Sequence, residues 1–384
     1  MKKWQRGNVY NFKIFRLFSG IGLFRLGLEQ VGMTCMGHIE IDKFANKSYE
    51  MLHEPKGEFF AEDIRKINAK SLPATDIWCG GFPCQDISVA KGANRTGLSG
   101  ARSGLFYNFV ELLKEAQENK PQWVVLENVK GLFNVGGGWD FADVLHKLAE
   151  VGYNLEYALL NSKNFGVAQN RERVYIVGRL GEKRPNIFPL TTVPIPPLSS
   201  IIEDKPHKKY FLSKEKTEII LNNLLQDLKK RGIMKKDCNK PIQLVGGSQG
   251  NRVYSTNGTS ICLSANGGGA GAKTGLYLVF DSDFPRAILT PNRIKVRNNG
   301  CRIKRLEDPM YTLMTKDIHG IFQDGKIRRL TPRECFRLQG VPDYYFDKIE
   351  GISDTQLYKQ AGNAVTVPVV RAIGEKIRAM EESD

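Results

Sequence analysis

The sequence predicts an α/β protein: a doubly wound mixed sheet joined to a smaller, irregular, strand-rich domain. Three observations carry this expectation. The first 182 residues alternate strand-like and helix-like segments. Five prolines between Pro185 and Pro197 interrupt the alternation, and the region beyond them concentrates the positive charge. Alternating strands and helices bury their apolar faces by covering both sides of a largely parallel sheet.

The elements follow in order. "FKIFRLF" is a compact apolar strand that ends at "SGIG". "GLFRLGLEQVG" places Leu23, Leu26 and Val31 at helical spacing and closes on Gly32. "TDIWC" and "WVVLENV" are short apolar runs of the kind that form buried parallel strands. "SGLFYNFVELLKEAQENK" repeats apolar residues at the spacing of an amphipathic helix, and "WDFADVLHKLAEVG" is a second, closed by Gly152. "NLEYALL" and "RVYIVGRL" complete the set as strands. "IFPLTTVPIPPLSS" then marks a domain boundary. Beyond it lie a lysine-rich helix, "SKEKTEIILNNLLQDLKKRG", and a Gly/Asn-rich stretch with short strands. The chain ends in the helix "VPVVRAIGEKIRAM". These features divide it into a catalytic and cofactor-binding domain (1–187), a target-recognition domain with its hinge (188–345) and a segment returning to the first domain (346–384).

Charge placement narrows the function. Of a net +15, residues 183–325 hold +11, with 23 basic against 12 acidic side chains. A basic block within an otherwise balanced chain points to a polyanion, most simply nucleic acid. No apolar run reaches the roughly 18 residues of a membrane span. The first residues lack an apolar signal segment. Seven cysteines show no CxxC pair and no metal-type histidine spacing, so the sequence reads as a reduced, metal-free, cytoplasmic protein.

Candidate chemistry gathers at the strand ends. Gly20 and Gly22 in "FSGIG" let a ligand approach the backbone after the first strand, although the GxGxxG pyrophosphate pattern is not met. Glu40 follows about twenty residues on, where such folds hold ribose hydroxyls. Asp63 in "FFAEDI" is placed to close the far side of a nucleoside pocket. Each acid alone also fits a solvated surface. Cys84 follows the next strand in "GGFPCQDIS", where a turn at the sheet's ligand side favours thiolate, although a small buried hydrophobe is the plainer reading of a lone cysteine. "LENV" puts Glu127 at the same edge, and "QNRER" adds Arg171 and Arg173. A nucleophile, a carboxyl and two cations suit attack on an electron-poor ring.

With these blocks in register, the sequence resembles the cytosine-5 DNA methyltransferases over essentially its whole length. The resemblance rests on "FSGIG", "GGFPCQDIS", "LENV", "QNRERVYIVG", "RRLTPRECFRLQGVPD" and "QAGNAVTVPVV", in the family's order. It implies a sheet of the S-adenosylmethionine-dependent methyltransferase type, with S-adenosyl-L-methionine as cofactor and double-stranded DNA as substrate. Cys84 would add to carbon 6 of a flipped-out cytosine, turning the ring into an enamine whose carbon 5 attacks the methyl group. Glu127 would bond ring N3 and the amino group, while Arg173 and Arg171 hold the ring carbonyl and nearby charge. The base that removes the carbon-5 proton is not identified; water is a candidate.

The family pattern also assigns the cofactor. Phe18, Gly20, Gly22 and Leu23 fall beside its methionine and adenosine, Glu40 on the ribose, and Asp63 with Ile64 on the adenine. Pro83, Leu105, Asn363 and Val365 line the same pocket. For DNA recognition the resemblance implies Ser88, Gln249, Arg252, Tyr254, Thr312 and Leu313, with Arg252 either reading guanine or contacting phosphate. Two departures from the HhaI-type members suggest a different target. Cys262-Leu263 stands where they carry Thr-Leu, and the extra stretch 281–320 contains Thr312-Leu313. Arg252 to Leu263 and Arg302 to Leu313 span the same interval, which is either a repeated strand–loop–strand unit or chance. A single recognition region suits a monomer on DNA, with any cognate restriction endonuclease acting separately.

Other functions fit less well. "DPMY" (308–311) lacks the second proline of an amino-methyltransferase motif and lies in the basic region. An RNA methyltransferase of the same superfamily would not need so large a basic insert. A catalytically dead regulator would not need Cys84, Glu127 and both arginines.

Overall fold

The computed structural model describes residues 11–83, 97–100, 104–196, 198–213, 215 and 328–383. Between 242 and 320 it describes the short stretches 242–243, 252–255, 259–262, 276–278, 288–289, 311–312 and 319–320. The chain forms two compact units. Unit 1 comprises 1–160, 173–191 and 369–384; unit 2 comprises 161–172 and 192–368.

Unit 1 is built on a seven-stranded sheet. Its strands are β1 (Lys13–Leu17), β2 (Thr34–Ile39), β3 (Phe59–Ala61), β4 (Ile77–Gly81), β5 (Trp123–Val129), β6 (Tyr153–Asn161) and β7 (Glu172–Leu180). They lie in the order β3-β2-β1-β4-β5-β7-β6. β1 pairs in parallel with β2 and β4, β2 with β3 and β4 with β5, whereas β7 runs antiparallel to β5. The order reverses between β1 and β4, so the chain's crossovers open a crevice at the carboxyl ends of these strands. Phe18–Gly22, Glu40, Asp63, Pro83 and Glu127 all belong to that edge.

The core explains why the apolar runs are strands and helices. Phe15 of β1 lies against Phe59 and Trp78, with ring centroids 5.8 and 6.2 Å away. Helix α3 (Leu105–Glu115) buries Phe106, Phe109, Val110, Leu112 and Leu113 along one face. Each fully buried side chain of this size contributes about 1.5–3 kcal/mol relative to exposure. Helices α1 (Leu23–Glu29), α2 (Lys43–His53) and α4 (Trp139–Glu150) complete the crossovers. α2 was not anticipated from the sequence, although Asp42 supplies its start signal: the carboxylate accepts from the N–H groups of Phe44 and Ala45.

The described residues of unit 2 do not establish the separate strand-rich domain that the sequence leads one to expect. Its described strands β8 to β14 are only two or three residues long. They comprise Ile242–Gln243, Val253–Ser255, Leu276–Leu278, Ile288–Leu289, Tyr311–Thr312, His319–Gly320 and Arg328–Arg329. Five form a sheet ordered β12-β8-β9-β10-β14, and β11 pairs with β13. The unit also contains helices α5 (Pro332–Arg337), α6 (Asp343–Phe346) and α7 (Asp354–Asn363). Thr331 and Glu334 form a capping box at α5, and the buried Glu334 carboxylate also receives both terminal nitrogens of Arg328.

Helix α8 (Val367–Ser383) starts within unit 2 and continues as the last segment of unit 1. There Glu381 accepts from Trp123 at 3.1 Å and pairs with Arg179 at 2.7 Å, while Arg378 donates to the Val31 carbonyl at 2.6 Å. No helix among the described residues is long and apolar enough to cross a membrane.

Candidate active site

The first part of the site is the turn after β1. Phe18, Gly20 and Gly22 have φ of 53°, 55° and 88°, so every second residue is left-handed. Phe18 is not a glycine, and its conformation must be held by its surroundings. Glu40, at the end of β2, receives the Gly20 N–H on one oxygen at 2.7 Å and the Asp42 N–H on the other at 2.8 Å. Burial raises the Glu40 pKa, and these two backbone donors oppose that rise. Asp63, after β3, pairs with Arg65 at 2.7 Å, which pulls its pKa down to about 2. Ile64 and Leu23 are buried, and Leu105 is half-buried at the start of α3.

This donor set fits a nucleoside better than a dinucleotide. Gly20 has open space where a side chain would stand. The half-buried ring of Phe18 flanks it, and carboxylates follow on the next two strand ends. Arg16, the strand's own cation, is only 1% exposed, so it offers no open grip for phosphate.

The second part lies at the ends of β4, β5 and β7. Gly81 faces Glu127 across the β4–β5 ladder, and Arg173 enters β7 opposite Val129. The two glycines of "CGGFPC" have separate reasons. A side chain at Gly80 would overlap the Leu17 carbonyl, and one at Gly81 would sit 3.0 Å from the Glu127 carboxylate. Glu127 is 8% exposed, with Oε1 3.0 Å from Arg173 Nε. Asn128 donates to the Phe82 carbonyl at 3.1 Å, tying the chain just before Pro83 to β5. Cys84 itself lies outside the described residues, as do Ser88, Gln249 and Leu313.

Arg171 is only two residues from Arg173 in sequence but belongs to unit 2. It is 2% exposed, and its Nη2 donates to the carbonyls of Gly362 at 3.1 Å and Ala364 at 2.7 Å. Those carbonyls lie at the C-terminus of α7, where a cation is favoured. Gln169 and Gln339 strengthen the same joint, donating to the carbonyls of Leu338 and Ala361 at 2.8 and 2.6 Å. Ser162 and Thr366 hydroxyls meet at 2.7 Å. Asn363 is exposed at the end of α7, between the two carbonyls that Arg171 holds, and Val365 is buried.

On β9 and its approach, Arg252 and Tyr254 are 2% and 1% exposed, and burial pulls the Arg252 pKa down to about 9. Thr312 forms β12 with Tyr311.

A doubly wound sheet with a nucleoside-type cradle at its switch point and a carboxylate–guanidinium pair beside it defines a group-transferring α/β enzyme. The chain belongs to the C-5 cytosine-specific DNA methylase family, whose model matches residues 12–379. It is a cytosine-5 DNA methyltransferase, and that class of enzyme uses a methyl-donor cofactor and a DNA substrate. It is 33% identical to the orphan methyltransferase M.SPBetaI of Bacillus phage SPbeta, over 95% of this chain and 97% of that protein. Identity to the type II methyltransferase M.HhaI of Haemophilus parahaemolyticus is 31%, over 94% and 92% of the two chains. Among solved structures, the Entamoeba histolytica methyltransferase EhMeth shares the fold with a TM-score of 0.66 at 18% identity, covering 97% of this chain and 99% of that one. The S. pombe Dnmt2 methyltransferase gives 0.63 at 18% identity, covering 96% and 99%.

Sequence reasoning missed two side chains at the turn after β1, Arg16 and His53. The signal for Arg16 was available: an arginine in the middle of an apolar strand needs a reason. His53 carried none, because α2 was not recognised.

Proposed function

We propose that the enzyme takes its methyl group from S-adenosyl-L-methionine and transfers it to carbon 5 of a cytosine flipped out of duplex DNA, with Cys84 as the attacking group. When bound, the donor supplies an electrophilic methyl carbon at the turn after β1. The Phe18–Leu23 turn, Glu40, Asp63, Ile64, Pro83 and Leu105 would hold it, and the motif assigns Asn363 and Val365 to it as well. Cys84 would bond to ring carbon 6, raising electron density at carbon 5. Glu127 would hold ring N3 as that density builds, and Arg173 would keep the carboxylate oriented and offer charge to the ring carbonyl. Carbon 5 would then take the methyl group as its bond to the donor's sulfonium breaks and leaves a neutral thioether. Transfer of the carbon-5 proton to a base, for which water is a candidate, and elimination of the Cys84 thiolate would restore the ring.

The observation that carries this reading is the Glu127–Arg173 pair beside the end of β4 at Gly81, three residues before Cys84. Arg171 is assigned a positioning role within unit 2, since carbonyls at the end of α7 engage its guanidinium. Arg252, Tyr254, Thr312, Ser88, Gln249 and Leu313 stay assigned to DNA recognition on their motif alone. We further propose that the enzyme acts as a monomer, with no endonuclease required for methylation.

The test is transfer of labelled methyl from S-adenosyl-L-methionine to duplex DNA, with RNA and Cys84→Ala as comparisons. Label is expected in 5-methylcytosine of DNA and to vanish with Cys84→Ala. Label in N6-methyladenine, or turnover that survives loss of the thiol, would refute the reading.

A further inference from the structure

The turn after β1 is gripped at three consecutive residues by side chains from three parts of the chain. Arg16 of β1 donates from Nη2 to the Ser19 carbonyl at 2.9 Å. Glu40 accepts from the Gly20 N–H at 2.7 Å. His53, the last residue of α2, places Nε2 3.0 Å from the Ile21 carbonyl. Glu40 is a candidate cofactor ligand. Arg16 and His53 have no assigned function.

Neither of the two is ordinary core. Arg16 is 1% exposed, and among the described residues no carboxylate lies within ion-pair distance of it. Its Nε and Nη1 are buried without a hydrogen-bond partner among those residues, and the guanidinium lies over the Phe24 ring at 5.0 Å. Burying a cation without a counter-ion is costly, so the feature needs a compensating role. His53 is kept neutral: burial first, and then the positive charge of Arg25, lowers its pKa to about 3. A carbonyl only accepts, so the neutral ring carries its proton on Nε2 and donates to Ile21.

Packing explains how His53 is held. His38 stacks on Tyr49 with centroids 3.8 Å apart, and Tyr49 meets His53 at 4.7 Å. Arg25 donates to the Tyr49 hydroxyl at 3.2 Å and is itself fixed by Glu29 and Glu58 at 2.7 and 2.8 Å. At the end of this column a side chain on Gly22 would overlap the His53 ring. The imidazole thus fills the space that Gly22 leaves, and the turn meets all three contacts at once.

We propose that Arg16 and His53 are positioning residues for the cofactor: they draw the carbonyls of Ser19 and Ile21 into the protein and so preset the turn on which the methyl donor binds. Preset backbone lowers the ordering cost of binding, so the effect falls on cofactor affinity rather than on the chemical step. This rests on the cofactor reading given above.

The experiment measures S-adenosylhomocysteine binding by calorimetry on the full chain, with steady-state kinetics in both substrates, for Arg16→Met, His53→Leu and His53→Gln. Arg16→Met and His53→Leu should each weaken binding and raise the cofactor KM by about tenfold or more, with kcat at saturating cofactor and the KM for DNA within about twofold. His53→Gln keeps an N–H donor at nearly the same reach and should recover affinity to within about threefold of the parent. Unchanged affinity in His53→Leu, or equal losses in kcat and DNA KM, would overturn the proposal. If Arg16→Met fails to fold, the Leu–Gln contrast at position 53 decides it. An unsubstituted enzyme that does not bind S-adenosylhomocysteine would instead refute the cofactor reading itself.

Discussion

The two halves of the sheet edge in unit 1 are built on opposite plans. At the β1–β2 side, side chains grip backbone: Arg16, Glu40 and His53 hold successive groups of one turn. At the β4–β5–β7 side, side chains meet side chains: Glu127 faces Arg173, and the missing side chain at Gly81 leaves room for the Glu127 carboxylate. The first plan fixes the shape of a turn, on which the proposed function places the cofactor. The second fixes charges that a reacting ring would meet. On the proposed function, the first half serves binding and the second chemistry, and substitutions should separate them.

The sharpest separation is expected at Glu127. Glu127→Gln preserves volume but removes the charge and the acid, so kcat should fall by about 10²–10⁴. S-adenosylhomocysteine affinity should stay within about twofold, since the group lies on the chemical side. A matching loss of cofactor affinity, measured by calorimetry, would merge the two halves and break the comparison.

Gly22→Ala should give a smaller effect of the opposite kind. The φ of 88° disfavours any side chain, and the added methyl meets the His53 ring. A stability loss of about 1–3 kcal/mol is expected in urea unfolding, together with weakened cofactor binding. If binding is untouched while stability falls, the turn's shape does not govern the ligand.

The smallest expected effect is on pH. His38 and His53 both have pKa values lowered to about 3, chiefly by burial, with Arg16 and Arg25 adding to the shift. The unfolded chain takes up protons near pH 6.5, where the folded protein does not, so stability is present above that pH and is lost as pH falls toward 3. Between pH 6.5 and 5 each histidine should cost roughly 1–2 kcal/mol, read as a falling urea midpoint. His53→Gln should flatten part of that slope. An unchanged slope would place the ring in solvent and weaken the contact with Ile21.

Much of unit 1 was legible in the sequence because its signals are local. The runs at 12–18, 75–79 and 123–129 are apolar enough to be buried on both faces, and the glycines at 20, 22 and 152 mark the ends of elements. Glu127 stood out as a carboxylate in such a run. The "QNRER" segment was legible as cationic but not in its arrangement. Spacing in sequence says nothing of which unit a side chain joins, and Arg171 finds its partners about 190 residues away at Gly362 and Ala364. Helix α2 was missed because its apolar positions are sparse, and with it went His53.

The sequence by itself determined the sheet, the order of its motifs, the basic character of the middle of the chain and membership of a methylating family, because hydrophobic period and motif order are written residue by residue. Only the tertiary structure decided that Arg16 and His53 reach the same turn, that Glu127 meets Arg173, and that Arg171 closes the end of α7. Those are contacts between distant parts of the chain, and their partners are chosen by which burials and hydrogen bonds can be satisfied together.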